Sequence, residues 1–465
     1  MSRDPQPSGS PRERVLVCGV LFPEFGAEFE GELSEVKALI EASQAEIVGQ
    51  AVTQRRLRPH PATLMGKGKV EEIKEQVDHL EPDAVVVDND LTPAQVRNLE
   101  KAWGLRVIDR SELILDIFAR RAQTRQARLQ VELAQNEYLL PRLRRMWTHL
   151  ERLEGAIGTR GPGETQLETD RRLLDRRIAD LKVQLAQIES RRLRQVRSRG
   201  DAFTVGLVGY TNAGKSTLLN RLTNSDEFVA DMPFATLDTR TRKWILPDRR
   251  VVLLSDTVGF LARLPHHLVA SFHATLEETL HADLLLHVVD ASHPDAPLQM
   301  QAVEKVLASI SPHLHADVIL FNKVDRVEDP IRLHLLLDPA REIEVVHLSA
   351  CTGEGIERLT RLVMRQMDER SVLVEVELPA GDGRLAALVK SSGSVLREEY
   401  VDGSTLRLLA KLAPDALGKI RRAAGPLVRI QTLRAAGGAR LTGEGPLEGD
   451  PESDAGGDAG GDPGD

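Results

Sequence analysis

The run Gly209, Tyr210, Thr211, Asn212, Ala213, Gly214, Lys215, Ser216 spaces two glycines, a lysine and a hydroxyl as G-x-x-x-x-G-K-S, with Thr217 directly behind. Glycines at these points let main-chain amides converge on an anionic oxygen. The Lys215 ammonium can reach the outer oxygens of a polyphosphate, and the Ser216 hydroxyl can ligate magnesium. Such chemistry needs a strand to aim the loop and a helix to receive the anion at its N-terminus. The flanking residues supply both, because FTVGLVG is a hydrophobic strand from Phe203 and STLLNRL continues as a helical pattern.

A phosphate loop does not choose a base. FNKVD, after the strand-like ADVIL, resembles the N-K-x-D element of GTPases, with Asn322, Lys323, Val324 and Asp325. A carboxylate at Asp325 can accept from the ring N–H and exocyclic amine of guanine, a pair of donors that adenine does not present. HLSAC adds Ser349, Ala350 and Cys351 as a loop approaching the guanine oxygen. Between these lie two candidate switches. PFATLDTRTRKW resembles a first switch, with Phe234, Ala235, Thr236, Leu237 and Asp238, and Thr236 is the expected second hydroxyl on the metal. LSDTVGF supplies Asp256, acting on the metal through water, then Thr257, Val258 and Gly259, whose amide can meet the γ-phosphate. Lys215, Thr236 and Gly259 are the candidate catalytic groups, and Ser216 and Thr236 the candidate metal ligands. Phe260 stands where switches of the Ras kind carry a water-orienting glutamine.

The rest of the chain must hold these loops. Its 465 residues are 41% hydrophobic, enough for several domains with cores of their own. No apolar run approaches membrane-spanning length, and the opening MSRDPQPSGSPRER is too polar for a signal peptide, which predicts a cytoplasmic setting. Two distant cysteines, Cys18 and Cys351, make neither a disulfide scaffold nor a metal site, and burial is expected of both. The net charge of -9 is misleading. Residues 443–465 hold eight acids and no base, a composition that predicts disorder and leaves the remainder nearly neutral. Residues 110–200 carry 20 Lys and Arg against 12 Asp and Glu, so the middle of the chain is basic.

The patterning predicts an α/β multidomain protein. After a disordered leader (1–11), VLVCGVLF and DAVVVDND read as buried strands among amphipathic helices, giving an N-terminal α/β domain over 12–110. Residues 111–200 turn helical. Leu129, Leu133, Asn136, Leu140, Leu143, Trp147 and Leu150 form one heptad seam, and Leu174, Ile178, Leu181, Leu185 and Ile188 a second. With the glycine-rich GAIGTRGPGE between them, this is a long helical hairpin with its tip at 155–165, kinked in its first arm by Pro141. The tip, with Arg160 its only cation, suits either close contact with RNA or a plain connection. A P-loop GTPase domain, a Ras-like mixed sheet flanked by helices, is expected over 201–370, a small C-terminal α/β domain over 371–440 and a disordered tail beyond. In the N-terminal domain MGKGK, Met65 to Lys69, is either a phosphate-binding turn or simply a turn and helix start.

The order of GYTNAGKS, PFATLD, DTVGF, NKVD and SAC, together with the upstream QRRLRPHPATLMGKGKVEEI, LTPAQVRNLEK and GTRGPGETQLETDRR, resembles the HflX family of translational GTPases over most of residues 15–370. The resemblance implies a monomeric, magnesium-dependent GTP hydrolase of the cytoplasm, with peripheral membrane association a further expectation. It implies binding to GTP and GDP and to the large ribosomal subunit, the hairpin tip near ribosomal RNA of the peptidyl transferase centre, and splitting or rescue of stalled ribosomes under stress. DNA is not an expected partner. Alternatives are a ribosome-assembly GTPase, a GTPase switch with a protein effector, and an ATP-dependent RNA remodeller working through the N-terminal domain. Family members carry a hydrophobic residue in place of the switch glutamine, so water is positioned either by nearby groups such as His266, His267 or His273 or by the ribosome. Asn212 raises potassium beside the phosphates as a second cofactor. The chain has Ala156 where the family usually has glycine and Thr239 where proline is common.

Overall fold

In a computed structural model the chain forms two compact units, residues 1–366 and 367–465. The residues described are 12–22, 33–146, 162–198, 203–224, 240–257, 259–261, 282–312, 314–329 and 343–434. The leader, most of the hairpin tip, the first switch with Thr236, and the acidic tail therefore lie outside them, as do Val258, His266, His267 and His273.

The first unit contains two parallel-rich sheets. The N-terminal one uses β1 (Arg14–Leu21), β2 (Glu46–Ile47), β3 (Val52–Arg55), β4 (Ala84–Val87) and β5 (Arg106–Asp109), with β4 central between β1 and β5 and every pairing parallel. Strands such as AVVV are apolar throughout because helices cover both faces. The helices are α1 (Ser34–Ala42), α2 (Lys67–Leu80), α3 (Pro93–Trp103) and α4 (Arg110–Arg121). Local chemistry starts them where the sequence says it should. Thr92 and Gln95 close a capping box on α3, and the Asp109 carboxylate accepts from the Glu112 amide at 2.9 Å to open α4. The Met65–Lys69 string forms a turn followed by the start of α2, with Gly66 as its N-cap.

Two long helices leave this layer, α5 (Arg125–Met146) and α6 (Pro162–Ser198). They pack through Leu129 and Leu133 against Ile178, Leu181, Leu185 and Ile188, so parts of both heptad seams meet. The first arm is helical through Pro141 as far as the described residues go, to Met146, and Trp147 and Leu150 of its predicted seam lie outside them. Its root is fixed by a buried acid: Asp109 accepts from the Tyr138 hydroxyl at 2.9 Å and from Arg142 at 2.7 Å, while the Arg142 guanidinium lies 3.4 Å over the Tyr138 ring. That cluster ties the arm to the carboxyl end of β5.

The second sheet orders β6 (Phe203–Gly209), β7 (Arg240–Ile245), β8 (Val251–Asp256), β9 (Leu284–Asp290), β10 (Val318–Asn322) and β11 (Glu344–His347) as β11-β10-β9-β6-β8-β7. All pairs are parallel except β7 with β8, the mixed sheet of a Ras-like fold. It is flanked by α7 (Lys215–Thr223), α8 (Ala296–Ile310) and α9 (Ile356–Glu369). Each sheet has a buried cluster of its own, Leu16, Ile73, Val87 and Trp103 in the N-terminal layer and Val289, Met300, Ile319 and Phe321 in the second, and a further cluster is shared between them. The shared cluster contains Val15, Ile114 and Phe118 from the N-terminal layer and Val208, Tyr210, Phe260, Leu285, Val303 and Leu307 from the second.

The second unit is a βαββαβ fold: β12 (Val372–Pro379), α10 (Gly383–Ser392), β13 (Gly393–Val401), β14 (Thr405–Leu412), α11 (Pro414–Ala423) and β15 (Arg429–Arg434). Its strands are antiparallel in the order β13-β14-β12-β15. Strict alternation buries Val372, Val374, Val376 and Leu378 on one face.

Candidate functional site

Five parallel strands deliver the predicted residues at their carboxyl ends, where open α/β sheets bind ligands. From β6 the chain turns into the phosphate loop. Gly209 has φ +155 and a Cβ there would lie 2.2 Å from the Val288 carbonyl of β9, while Gly214 has φ +94 with the Asn322 amide equally close to its Cβ position. These two glycines are therefore required by backbone and by neighbours. Lys215 opens α7, is 6% exposed, and donates to the carbonyls of Gly209 at 3.0 Å and Tyr210 at 2.8 Å. Burial pushes its pKa down to about 8, with the Asp256 charge acting in the opposite sense.

From β8 comes Asp256, fully buried, whose Oδ2 accepts from the Ser216 hydroxyl at 2.7 Å. A hydroxyl and a carboxylate facing each other beside the phosphate loop are hard oxygen donors of the kind magnesium prefers, so the residues present fit the ion that the sequence calls for. Thr257 turns its hydroxyl onto the Leu207 carbonyl at 2.7 Å and is structural in this arrangement.

From β10 comes Asn322, which joins two loops. Its Nδ2 donates to the Ala213 carbonyl at 2.8 Å, and its Oδ1 accepts from the Ala350 amide at 2.9 Å. Lys323 sits at φ +62 and pairs with Asp290 of β9 at 2.7 Å, and Val324 and Asp325 lie on a single 3-10 turn with Asp325 exposed. Burial raises the Asp290 pKa, but the Lys323 and Ser292 contacts outweigh it and hold the carboxylate below its ordinary range. After β11, Ser349 is fully buried and accepts from the Thr352 amide at 3.1 Å. The structure thus brings together Gly209 to Thr217, Asp256, Gly259, Asn322 to Asp325 and Ser349 to Cys351. The expectation for one cysteine fails: Cys18 is buried in β1, but Cys351 is exposed, because it sits on the turn that the Gly353 amide closes onto the Ser349 carbonyl, past the buried Ser349 and Ala350.

Phe260 does not enter the site. It is 2% exposed, packed in the core shared by the two sheets, and its backbone bridges the phosphate loop, with Thr211 N donating to Phe260 O at 2.8 Å and Phe260 N to Gly209 O at 3.1 Å. Gly259 is consequently pressed on the loop, its Cβ position 2.9 Å from Thr211 Cα and 3.2 Å from Lys215 Nζ. Sequence reasoning missed two supporting groups, Asp290 and the Glu35–Arg110–Asp88 cluster behind Tyr210. Asp290 and Asp88 were signalled only as acids closing or following apolar strands, and nothing in the local pattern marked Glu35 or Arg110.

A phosphate loop on a mixed sheet of this order, with N-K-x-D and S-A-C loops beside it, defines a P-loop GTP hydrolase. Comparison with known sequences gives the particular family. Residues 30–119 match the family described as GTP-binding GTPase N-terminal, 121–199 the GTP-binding GTPase middle region, and 204–323 the 50S ribosome-binding GTPase. The chain is 41% identical to GTPase HflX of Caldanaerobacter subterraneus subsp. tengcongensis, over 84% of this chain and 89% of that one. It is 43% identical to GTPase HflX of Escherichia coli, over 82% and 89%, and 47% identical to that of Magnetococcus marinus, over 78% and 83%. The chain belongs to the HflX family of GTPases.

Proposed function

We propose that this GTPase acts on the large ribosomal subunit, where it promotes the splitting or rescue of stalled ribosomes. The observation that carries the reading is the basic two-helix arm α5–α6, rooted by Asp109, Tyr138 and Arg142 in the same unit as the phosphate loop. A rigid root lets an arm tip and a nucleotide site sense one another. The match of residues 204–323 to a family described as 50S ribosome-binding GTPase supports the same partner.

In the reaction, the amides of the 209–216 loop hold the β-phosphate, Lys215 leaves its carbonyl partners to bridge the outer oxygens, and the Gly259 amide meets the γ-phosphate. Ser216 and Thr236 are the residues that would hold magnesium, with Asp256 behind them. The ion supplies charge neutralisation for the departing diphosphate. Asp325 reads guanine, with Ser349, Ala350 and Cys351 against its carbonyl oxygen. Because Phe260 is occupied in the core, water is oriented by something else, and RNA or protein of the ribosome is the source we favour. A potassium ion near Asn212, itself at φ +61, is the second candidate. The division of the chain at 110, 200, 370 and 440 and a cytoplasmic, monomeric state belong to the same reading. Among the described residues no helix is long and apolar enough to cross a membrane.

The test is GTP turnover by the full chain with and without purified large subunits, beside a variant lacking 155–165. Stimulation that the deletion weakens is the expected result. Equal rates throughout would remove the ribosome from the mechanism.

A further inference from the structure

The second residue of the phosphate loop is a tyrosine whose side chain has no phosphate to meet. Tyr210 is 8% exposed and lies in the core shared by the two sheets. Its hydroxyl donates to Oε1 of Glu35, at the start of α1 in the N-terminal layer. The other oxygen of Glu35 accepts from Arg110 at 2.5 Å, and Arg110 also donates to Asp88 at 2.5 Å. Arg110 is 1% exposed and Asp88 2%. A buried arginine held by two carboxylates is a fixed point, because moving any member leaves a charge unpaired in a medium of low dielectric. Arg110 is kept charged despite its burial by Glu35 and Asp88.

The backbone of the same residue is gripped from the other side. Tyr210 bridges Phe260, and its carbonyl is one of the two that receive Lys215. Ring, hydroxyl, carbonyl and bridge thus place one loop residue between the N-terminal ion cluster and the Gly259–Phe260 segment.

We infer that Tyr210, anchored through Glu35, Arg110 and Asp88, is a positioning residue for GTP hydrolysis, by which the N-terminal layer sets the placement of Gly259 and Phe260 against the phosphate loop. The diphosphate is held by amides further along the loop and the base by Asp325, whereas Tyr210 bridges the segment that carries Gly259, so the relay acts on the γ-phosphate side. The inference rests on the assignment of the 209–216 loop to the phosphates. The hydrolysis rate of Lys215→Ala tests that assignment separately.

Weakening the relay should therefore separate turnover from binding. Glu35→Gln in the full chain is expected to lower kcat about three- to tenfold while GDP affinity stays within about twofold. Tyr210→Phe keeps the ring in its place and removes only the hydroxyl. If the two act through one contact, the double variant is no slower than the slower single one. The chain has three tyrosines, so fluorotyrosine labelling gives three resonances, with that of Tyr210 identified by its loss in Tyr210→Phe. That resonance should move when GDP is exchanged for a non-hydrolysable GTP analogue, and Glu35→Gln should suppress the movement. Glu35→Gln at the wild-type kcat, additive effects in the double variant, or a Tyr210 resonance indifferent to the nucleotide would each overturn the inference. If Glu35→Gln fails to fold, Tyr210→Phe and the resonance of the unaltered chain still decide it.

Discussion

The mainly parallel sheet β6–β11 and the antiparallel sheet β12–β15 handle polar groups in opposite ways. In the first, Lys215, Asp256, Asp290, Asn322 and Ser349 are buried together at the carboxyl ends of the strands. In the second, among the described residues, no buried polar or charged side chain occurs, and Arg407 meets Glu377 at 2.6 Å and Glu375 at 3.4 Å across the open face. Parallel strands all release their chains at one edge, so loops from distant parts of the sequence converge there and shield one another's polar atoms. Antiparallel strands send neighbouring chains in opposite directions, and their polar residues stay on the solvent face. Burial of charge thus distinguishes the unit that binds nucleotide from one whose charges serve only its surface.

The contrast can be tested at five points. The largest effect is expected at Asp325. Asp325→Ala should reduce the preference for GTP over ATP by up to ~10⁴, because the guanine donors lose their partner; competition binding measures it, and an unchanged preference would move base reading elsewhere. Lys215→Ala should lower GTP turnover by about 10²–10³, followed by phosphate release at saturating nucleotide. Phe260→Gln should cost ~3 kcal/mol of stability by removing a buried ring and burying an amide, with no gain in hydrolysis. Denaturant unfolding beside turnover checks both halves, and faster hydrolysis would show that the side chain can leave the core.

A fourth effect follows from the depressed Lys215 pKa of about 8. Above that pH the resting lysine is neutral, so binding a diphosphate must draw in a proton. GDP affinity should fall about tenfold between pH 7 and pH 9, and calorimetry in buffers of different ionisation enthalpy should detect the uptake. A flat profile would mean that Lys215 stays charged. The smallest effect is expected in the other sheet, where Arg407→Ala should leave turnover and the melting midpoint unchanged, since exposed pairs contribute little.

Much of this was legible in the sequence. The phosphate loop, its strand and its helix were readable because their constraints are local: Gly209 at positive φ and a lysine six residues on are fixed by neighbours in the chain. Asn322 and Ser349 were readable as motifs, but the bridge that Asn322 makes between Ala213 and Ala350 was not, since it joins loops more than a hundred residues apart. Phe260 was the sharpest case. Its type raised a question about water, and its role was decided by packing partners from another layer, which no spacing around residue 260 encodes. Arg110 looked like one more base in a basic stretch, and only the fold shows it enclosed by Glu35 and Asp88.

The core cluster shared by the two sheets of the first unit also has a consequence for how the protein is made. Ile114, Phe118 and Tyr138 pack in the cluster that Phe260, Val303 and Leu307 complete. Leu307 follows Tyr138 by 169 residues. At about 5–20 residues per second of synthesis, the apolar faces of α4 and α5 wait on the order of ten seconds or longer for their covering. The nascent chain therefore carries an open hydrophobic surface until its nucleotide-binding half has been translated. Shortening the gene product before residue 307 leaves that surface exposed for good.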